Sequence, residues 1–365
     1  MKIIHVLKHA QSGNGSVHVA VDLACAQADA GHDVWFASAR GSYDELLRGH
    51  GVTVSDIPEP TSIREAIRST AALLRLARGT TADIIHGHMM SSAVIGFVVA
   101  KLSKARLVTT MHNSFDGHSW LMRLGRVTVA VSEAERALLL SRNFAENKLV
   151  TVINGVGGSA REELPVDDIG ELHQPSIMTL SGLHPRKGVN YVISAFALVA
   201  DEFPDWHLNV VGWGGALADL QQQVHELGLA ERVHFLGSTL TPWLLLGSTK
   251  VFATGSLADP CPLTVMEARA AGRAIVGTRV GGIPETLEQG EAGFIVPPQD
   301  PGAMAEAFRE LLADDATLAG WQKRAEDPAG FFTVARMATD YERAYRWTLG
   351  LAPKPVGTGI VKTRV

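Results

Sequence analysis

The chain has 365 residues, 46% hydrophobic and 19% charged, which fits about two globular domains, each with a substantial core. A net charge of -5 speaks against a nucleic-acid partner, and no unbroken run of roughly 18 apolar residues, the length of a membrane span, occurs. Cys25 and Cys261 lie far apart and form no Cys-x-x-Cys pair, so a structural zinc or disulfide framework is not expected and a reducing cytoplasm suits the chain.

From the amino terminus, short β-branched runs alternate with longer helical patterns. The apolar runs 3–7, 34–37, 84–86, 107–111, 127–131 and 150–153 read as strands, and the first is too short for a signal-peptide core. Helix-like stretches lie between them at 17–30, 63–78, 92–101 and 133–141. Alternation of this kind builds parallel β-α-β units. Residues 161–175 are polar and acidic, contain Pro165 and Pro175, and carry no apolar period, so a linker is read there. Strands resume at 177–180, 208–211, 233–236, 251–253, 274–276 and 294–296, followed by a late helix over 331–349. The expected organisation is therefore two Rossmann-like domains, 1–164 and 176–330, joined by residues 165–175. The helix 331–349 is expected to pack back on the first domain, and 351–365 form a disordered tail. Open α/β sheets bind ligands at the carboxyl ends of their strands, so the default site is a cleft between the two domains.

Ser12-Gly13-Asn14-Gly15 follows the first strand and opens a helix, where glycine permits close approach to a phosphate and free N–H groups favour an anion. Such a turn also serves simply to reverse the chain. The second domain opens in a parallel way, with Ser181-Gly182-Leu183-His184-Pro185-Arg186-Lys187-Gly188 at its first strand end. Adjacent cations beside a helix start form a diphosphate clamp; the bland alternative is a solvated basic turn. The richest stretch is Asp259-Pro260-Cys261-Pro262-Leu263-Thr264-Val265-Met266-Glu267-Ala268, followed by Gly281-Gly282-Ile283-Pro284-Glu285. Two carboxylates eight positions apart, one in a loop and one a turn into a helix, can accept hydroxyls of a sugar and of a ribose. Between them, Leu263 and Thr264 begin a helix whose N–H groups can meet phosphate.

These residues resemble the Glu-x7-Glu pattern of the retaining, GT-B-fold glycosyltransferases known as glycosyl transferases group 1. The resemblance extends over Arg186-Lys187-Gly188, the opening glycine turn, Thr110-Met111-His112, Ser132-Glu133 and Val152-Ile153-Asn154-Gly155, up to about residue 349. It implies a GT-B fold, two Rossmann-like sheets facing across a cleft, and transfer of a sugar from a nucleotide diphosphate sugar to a glycan or lipid-linked acceptor, in polysaccharide or glycolipid biosynthesis. By the same resemblance, Lys187 and Arg186 hold the diphosphate, Glu267 the ribose, and Asp259 and His112 sit near the transferred sugar. Asn14, Gly15, Asn154, Gly188, Leu263 and Thr264 line the donor. The strand-end position of His112 singles it out over His86 and His88. The sequence departs from the pattern at Gly182, where an arginine usually helps clamp the diphosphate. It departs also at Asn14, at Asp259, which stands for the first Glu, and at Cys261-Pro262, which replace an aromatic-glycine pair.

No Asp-x-Asp occurs in the chain, which agrees with a metal-free clamp and no cofactor beyond the donor. Ser62 and Glu65 form a capping box for a helix on which Arg64, Arg68, Arg75 and Arg78 share one face at about 100° per residue. That face suits peripheral contact with an anionic membrane, although most charged faces are only solvated. Loss of the arginine at Gly182 supports a second reading, a weak or inactive homologue that binds sugar nucleotide and supports a partner enzyme. An epimerase or phosphorylase is a third, and a phosphorylase would need a pyridoxal phosphate lysine environment and a longer chain.

Overall fold

The structure is a computed structural model and describes residues 1–166, 172–326 and 330–356. Two compact units divide the described residues: residues 1–163 with 333–356, and residues 164–332. The first unit holds strands β1 (Lys2–His9), β2 (Asp33–Ala39), β3 (Thr53–Asp56), β4 (Ile84–Gly87), β5 (Arg106–Met111), β6 (Val127–Ala130) and β7 (Leu149–Thr151). Its helices are α1 (Gly15–Asp29), α2 (Asp44–Gly49), α3 (Ile63–Thr80), α4 (Met90–Leu102) and α5 (Glu133–Ser141). The second unit comprises β8 (Ser176–Leu180), α6 (Val189–Ala197), β9 (His207–Val211), α7 (Leu217–Glu226), β10 (Val233–Phe235), α8 (Pro242–Ser248) and β11 (Val251–Thr254). It continues through α9 (Leu263–Ala270), β12 (Ala274–Thr278), α10 (Ile283–Thr286), β13 (Phe294–Val296), α11 (Pro301–Leu312) and α12 (Asp315–Ala325). Helix α13 (Val334–Thr348) belongs to the first unit, where it packs on α1.

Both sheets are parallel. The strand orders are β3-β2-β1-β4-β5-β6-β7 and β10-β9-β8-β11-β12-β13, so each order reverses beside its first strand, between β1 and β4 and between β8 and β11. Strands covered by helices on both faces need apolar residues throughout, which is why β1, β8 and β11 read as near-continuous runs: Ile3, Ile4, Ile177, Met178, Val251 and Phe252 are all fully buried. The runs read in the sequence coincide with twelve of these strands. Strand β3 carries Thr-Val-Ser-Asp at the sheet edge, half exposed, and so lacks the apolar run that would announce it. Residues 152 and 153 continue the apolar run past the end of β7, where Val152 N–H still donates to the carbonyl of Ala130 in β6 at 2.9 Å.

Two boundaries differ from the sequence reading. Arg161, read as the start of the linker, lies in a 3-10 turn, Ala160–Glu163, of the first unit. Its side chain is buried and its guanidinium sits 3.1 Å from the buried carboxylate of Asp22. A pairing across 139 residues leaves no local trace in a polar stretch. Helix α13 starts at Val334 rather than 331, because Thr333 caps it by accepting the N–H of Arg336 at 3.3 Å. Part of the expected linker, residues 167–171, and of the expected tail, residues 357–365, lies outside the described residues; 351–356 form no helix or strand.

Candidate active site

In the second unit, the turn after β8 and the loop after β11 meet at the carboxyl ends of neighbouring strands, beside the reversal point where open α/β sheets bind ligands. Their approach is too close for any side chain between them. A Cβ on Gly188 would lie 1.9 Å from the carbonyl oxygen of Gly255, and Gly188 has φ 60°, so only glycine fits. The amide of Leu257 donates to the carbonyl of Arg186 at 2.8 Å, zipping the two segments together.

This contact delivers the two charged groups that the sequence separates by 72 residues: Lys187 Nζ donates to Asp259 Oδ2 at 2.5 Å. Asp259 is buried and Lys187 partly so. Arg186 turns to the loop itself, Nη1 donating to the carbonyl of Ala258 at 2.6 Å, so it braces the backbone beside Asp259. The Gly281-Gly282 turn after β12 supports the same loop. Gly282 N–H donates to Asp259 O at 3.0 Å, and a Cβ on Gly281 would stand 1.8 Å from that oxygen. Leu263 and Thr264 open α9 with no side chain capping its amide groups, and Glu267 sits one turn further on, nearly buried. Uncapped amides at a helix start attract an anion. Gly182 has the imidazole of His184 beside it, 3.3 Å from where its Cβ would be. Ser181 Oγ, at the end of β8, is buried and has no hydrogen-bond partner; a lone serine in a strand-end turn gave no sequence signal of this.

In the first unit, Asn14 is the N-cap of α1 and its side chain accepts the N–H of Ser16 at 3.0 Å, while Gly13 takes φ 82°. Asn154 and Gly155 follow β7 and are pinned to α13: Arg336 donates to the carbonyls of Ile153 and Asn154, both at 2.8 Å, and a Cβ on Gly155 would meet Thr333 O at 2.2 Å. Asn154 is buried, with Oδ1 unpartnered.

His112 stands just past β5, and the two histidines set aside in favour of it are its support. His88 Nδ1 lies 3.0 Å from His112 Nε2, His5 Nδ1 lies 2.9 Å from His88 Nε2, and His5 Nε2 meets Gln27 Oε1 at 2.8 Å. Gln27 Nε2 in turn donates to Tyr345 OH at 3.4 Å, and that hydroxyl reaches His86 Nδ1 at 2.7 Å. Burial disfavours the charged imidazoles: His5 and His112 are lowered to about 4, and burial holds His86 and His88 well below the usual imidazole range as well. Neutral rings have one donor each, so the chain has a direction. The amide oxygen of Gln27 accepts from His5 Nε2–H, His88 Nε2–H donates to His5, and His112 Nε2–H donates to His88. His112 is thereby left with Nδ1 as a bare acceptor, with no hydrogen-bond partner among the described residues. None of this was legible in sequence, where the four histidines and Gln27 look unrelated.

The segment after His112 walls a cavity of about 270 Å³, lined by Ser114, Phe115, Asp116, Trp120, Arg123 and Arg142 among others. The Phe115 and Trp120 rings are about half exposed, and Arg142 Nη1 donates to Ser114 O at 2.6 Å. No periodicity marks this irregular stretch, so the sequence did not reveal it.

Residues 174–314 match the family model described as Glycosyl transferases group 1, and residues 13–157 match Glycosyltransferase Family 4. The chain is 27% identical over 301 residues to the D-inositol 3-phosphate glycosyltransferase of Corynebacterium glutamicum, covering 73% of this chain and 72% of that one. It is 24% identical over 360 residues to the N-acetyl-alpha-D-glucosaminyl L-malate synthase of Bacillus anthracis, covering 92% and 94%. Among solved structures, Anabaena Alr3699/HepE in complex with UDP-glucose superposes with a TM-score of 0.79 at 22% identity, over 96% of this chain and 100% of that one. Sucrose-phosphate synthase from Thermosynechococcus elongatus gives 0.75 at 19%, over 96% and 99%. With both sheets, both family models and the motif order in agreement, the chain is a GT-B-fold glycosyltransferase and belongs to the glycosyl transferases group 1 family.

Proposed function

We propose that this protein transfers a hexose from a nucleoside diphosphate sugar to a glycan or lipid-linked acceptor, with retention of anomeric configuration and without a metal. The observation that carries this reading is the Lys187–Asp259 pair beside the uncapped start of α9 and near the reversal point of the second sheet. The Anabaena structure named above contains UDP-glucose, which supports a UDP-sugar as the first donor to test. Lys187 and the α9 amides would take the diphosphate charge, Asp259 a sugar hydroxyl, and Glu267 the ribose. Arg186 would hold the Asp259 loop through its bond to Ala258 and offer its remaining N–H groups to the diphosphate. In the reaction, the bond from the anomeric carbon to the diphosphate oxygen breaks as the acceptor oxygen bonds to the same face. The acceptor proton passes to the departing phosphate. His112 would offer its Nδ1 to a sugar hydroxyl, and the Phe115–Trp120 cavity would receive acceptor rings.

Screening UDP-, GDP-, ADP- and dTDP-sugars by thermal shift, then following turnover with the donor that binds, tests this. Glu267→Gln is expected to raise donor KM about tenfold with a smaller change in kcat, because its ribose contact is equally present in ground and transition states. An unchanged KM removes Glu267 from the donor site. Gly182 keeps the second reading, a binding-only homologue, in play: tight donor binding without transfer or hydrolysis of any sugar would favour it.

We further propose contact with anionic membrane through α3. Arg64, Arg68 and Arg75 are exposed on it, alongside Ile63 and Ile67, which are 83% and 65% exposed. Arg78 is diverted, donating to the carbonyl of Leu102 at 2.9 Å. On α4, Val94, Val98 and Leu102 add a partly exposed apolar stripe, and α3 packs against α4. Basic residues interleaved with exposed aliphatics suit the headgroup region. Ile67→Glu with Arg68→Glu is expected to cut co-sedimentation with phosphatidylglycerol vesicles at least fivefold while donor binding holds. Equal sedimentation of variant and parent would refute the contact.

A further inference from the structure

His173, His207 and His234 converge at the other end of the second sheet from the candidate active site. His207 opens β9, His234 is central in the edge strand β10, and His173 lies in the segment that leads into β8. One ring nitrogen from each can be chosen so that all three lie within 4.8 Å of one another. The rings of His173 and His234 stack at 3.5 Å, and His207 Nδ1 lies 3.0 Å from His234 Nε2. Apart from that single bond, the ring nitrogens have no hydrogen-bond partner among the described residues, and all three side chains are partly open to solvent. Arg232, the nearest cation in sequence, donates to the carbonyls of Phe203 and Trp206, and, after burial, its charge also disfavours protonation of His207 and His234.

Beneath them sits Asn209, fully buried in β9 and the register partner of His234. Its Nδ2 donates to the backbone carbonyl of His173 at 3.1 Å, which fixes that segment against the sheet. Its Oδ1 is buried without a partner. A buried amide oxygen next to imidazoles is the kind of acceptor that a ligating histidine uses for its second ring N–H.

The histidine group of the first unit makes an instructive contrast. His5, His86 and His88 also come within 4.8 Å, but both nitrogens of every ring are already committed to Gln27, Tyr345, Thr110 or another histidine. That group is a closed hydrogen-bond chain, whereas the second leaves lone pairs open.

We propose that His173, His207 and His234 form a three-histidine site for a borderline divalent transition metal, Zn(II), Co(II), Ni(II) or Cu(II). Three neutral imidazoles with solvent access match the nitrogen-rich, three-ligand-plus-water set that these ions favour, and Mg(II) or Ca(II) would find no oxygen ligands in it. Metal–nitrogen distances of about 2.0–2.1 Å require the His173 and His234 rings to rotate out of their 11° stack so that their in-plane lone pairs converge. The metal would tie the chain leading into β8 to the exposed edge of the sheet, and it plays no part in the reaction proposed above.

The test uses the full, untagged chain freed of metal with a chelator and titrated with Co(II). One equivalent should bind with a visible ligand-field band, and the melting temperature should rise by several degrees. His207→Gln and His234→Gln should each weaken binding at least tenfold, whereas His225→Gln, an exposed histidine on α7, should leave it unchanged. His173→Gln, outside any strand, checks that loss of binding does not come from damage to the sheet: it must also weaken binding while the metal-free melting temperature stays within a few degrees of the parent. Absence of stoichiometric binding, or equal Co(II) affinity in His173→Gln, His207→Gln and His234→Gln, overturns the site.

Discussion

Lys187→Ala is expected to lower kcat/KM for sugar transfer by roughly 10³-fold, because its ammonium is the cation proposed to neutralise the departing diphosphate. The same substitution has a second consequence. Asp259 is buried and its only ion-pair partner among the described residues is Lys187, so the variant leaves a carboxylate without its counter-charge. That costs about 1–3 kcal/mol of stability. Lys187→Ala combined with Asp259→Asn therefore separates the two effects. The double variant should recover most of the stability, read from its urea midpoint, and none of the turnover. Recovery of turnover by the double variant would show that Lys187 serves only to pair with Asp259. In the reading proposed above, the pair would also hold the lysine in place before a donor arrives, the carboxylate proposed for the sugar orienting the cation proposed for the phosphate.

His112→Ala is expected to lower kcat about 10²-fold, and Gln27→Met, some way down the chain of rings, about tenfold. Gln27 reaches no reacting atom; it is a positioning residue, fixing the tautomer that leaves His112 Nδ1 as acceptor. Nitrogen-15 spectra of the imidazoles should report one His112 tautomer in the parent and a mixture in Gln27→Met. A single unchanged tautomer in the variant would break the relay. Burial lowers the His112 pKa from 6.5 to about 4, so no acid limb in kcat is expected near 6.5. The sign for stability follows from the same shift. The unfolded chain takes up the proton first, so the stability from a neutral His112 is complete above pH 6.5 and is lost as pH falls from 6.5 towards 4. Urea unfolding of His112→Gln should accordingly fall less steeply over that interval than the parent.

The contrast between the candidate residues of the two units is a matter of sequence distance. The places of Lys187, Gly188, Leu263, Thr264 and Glu267 were legible because they stand in fixed local order: a cation at a strand end, a glycine that lets two turns touch, a helix start, a carboxylate one turn on. Asp259 was legible as a carboxylate, but not as the partner of Lys187, and the bond from Arg186 to the carbonyl of Ala258 was not legible at all. The support beneath His112 was invisible, since histidines at 5, 88 and 112 and a glutamine at 27 share no spacing. Likewise Arg161 looked like linker because a buried ion pair and a solvated charge have the same local composition.

The sequence by itself determined the two parallel α/β units, through apolar runs that only doubly covered strands require, and the family, through ordered motifs in both halves. Tertiary structure alone decided which groups touch: Lys187 with Asp259, Arg186 with Ala258, the histidines with one another, and the three partly open imidazoles at the far end of the second sheet. The physical reason is that burial and periodicity are encoded residue by residue. Pairing is encoded in strand order, which brings together side chains 72 or 83 positions apart and commits each donor to one acceptor.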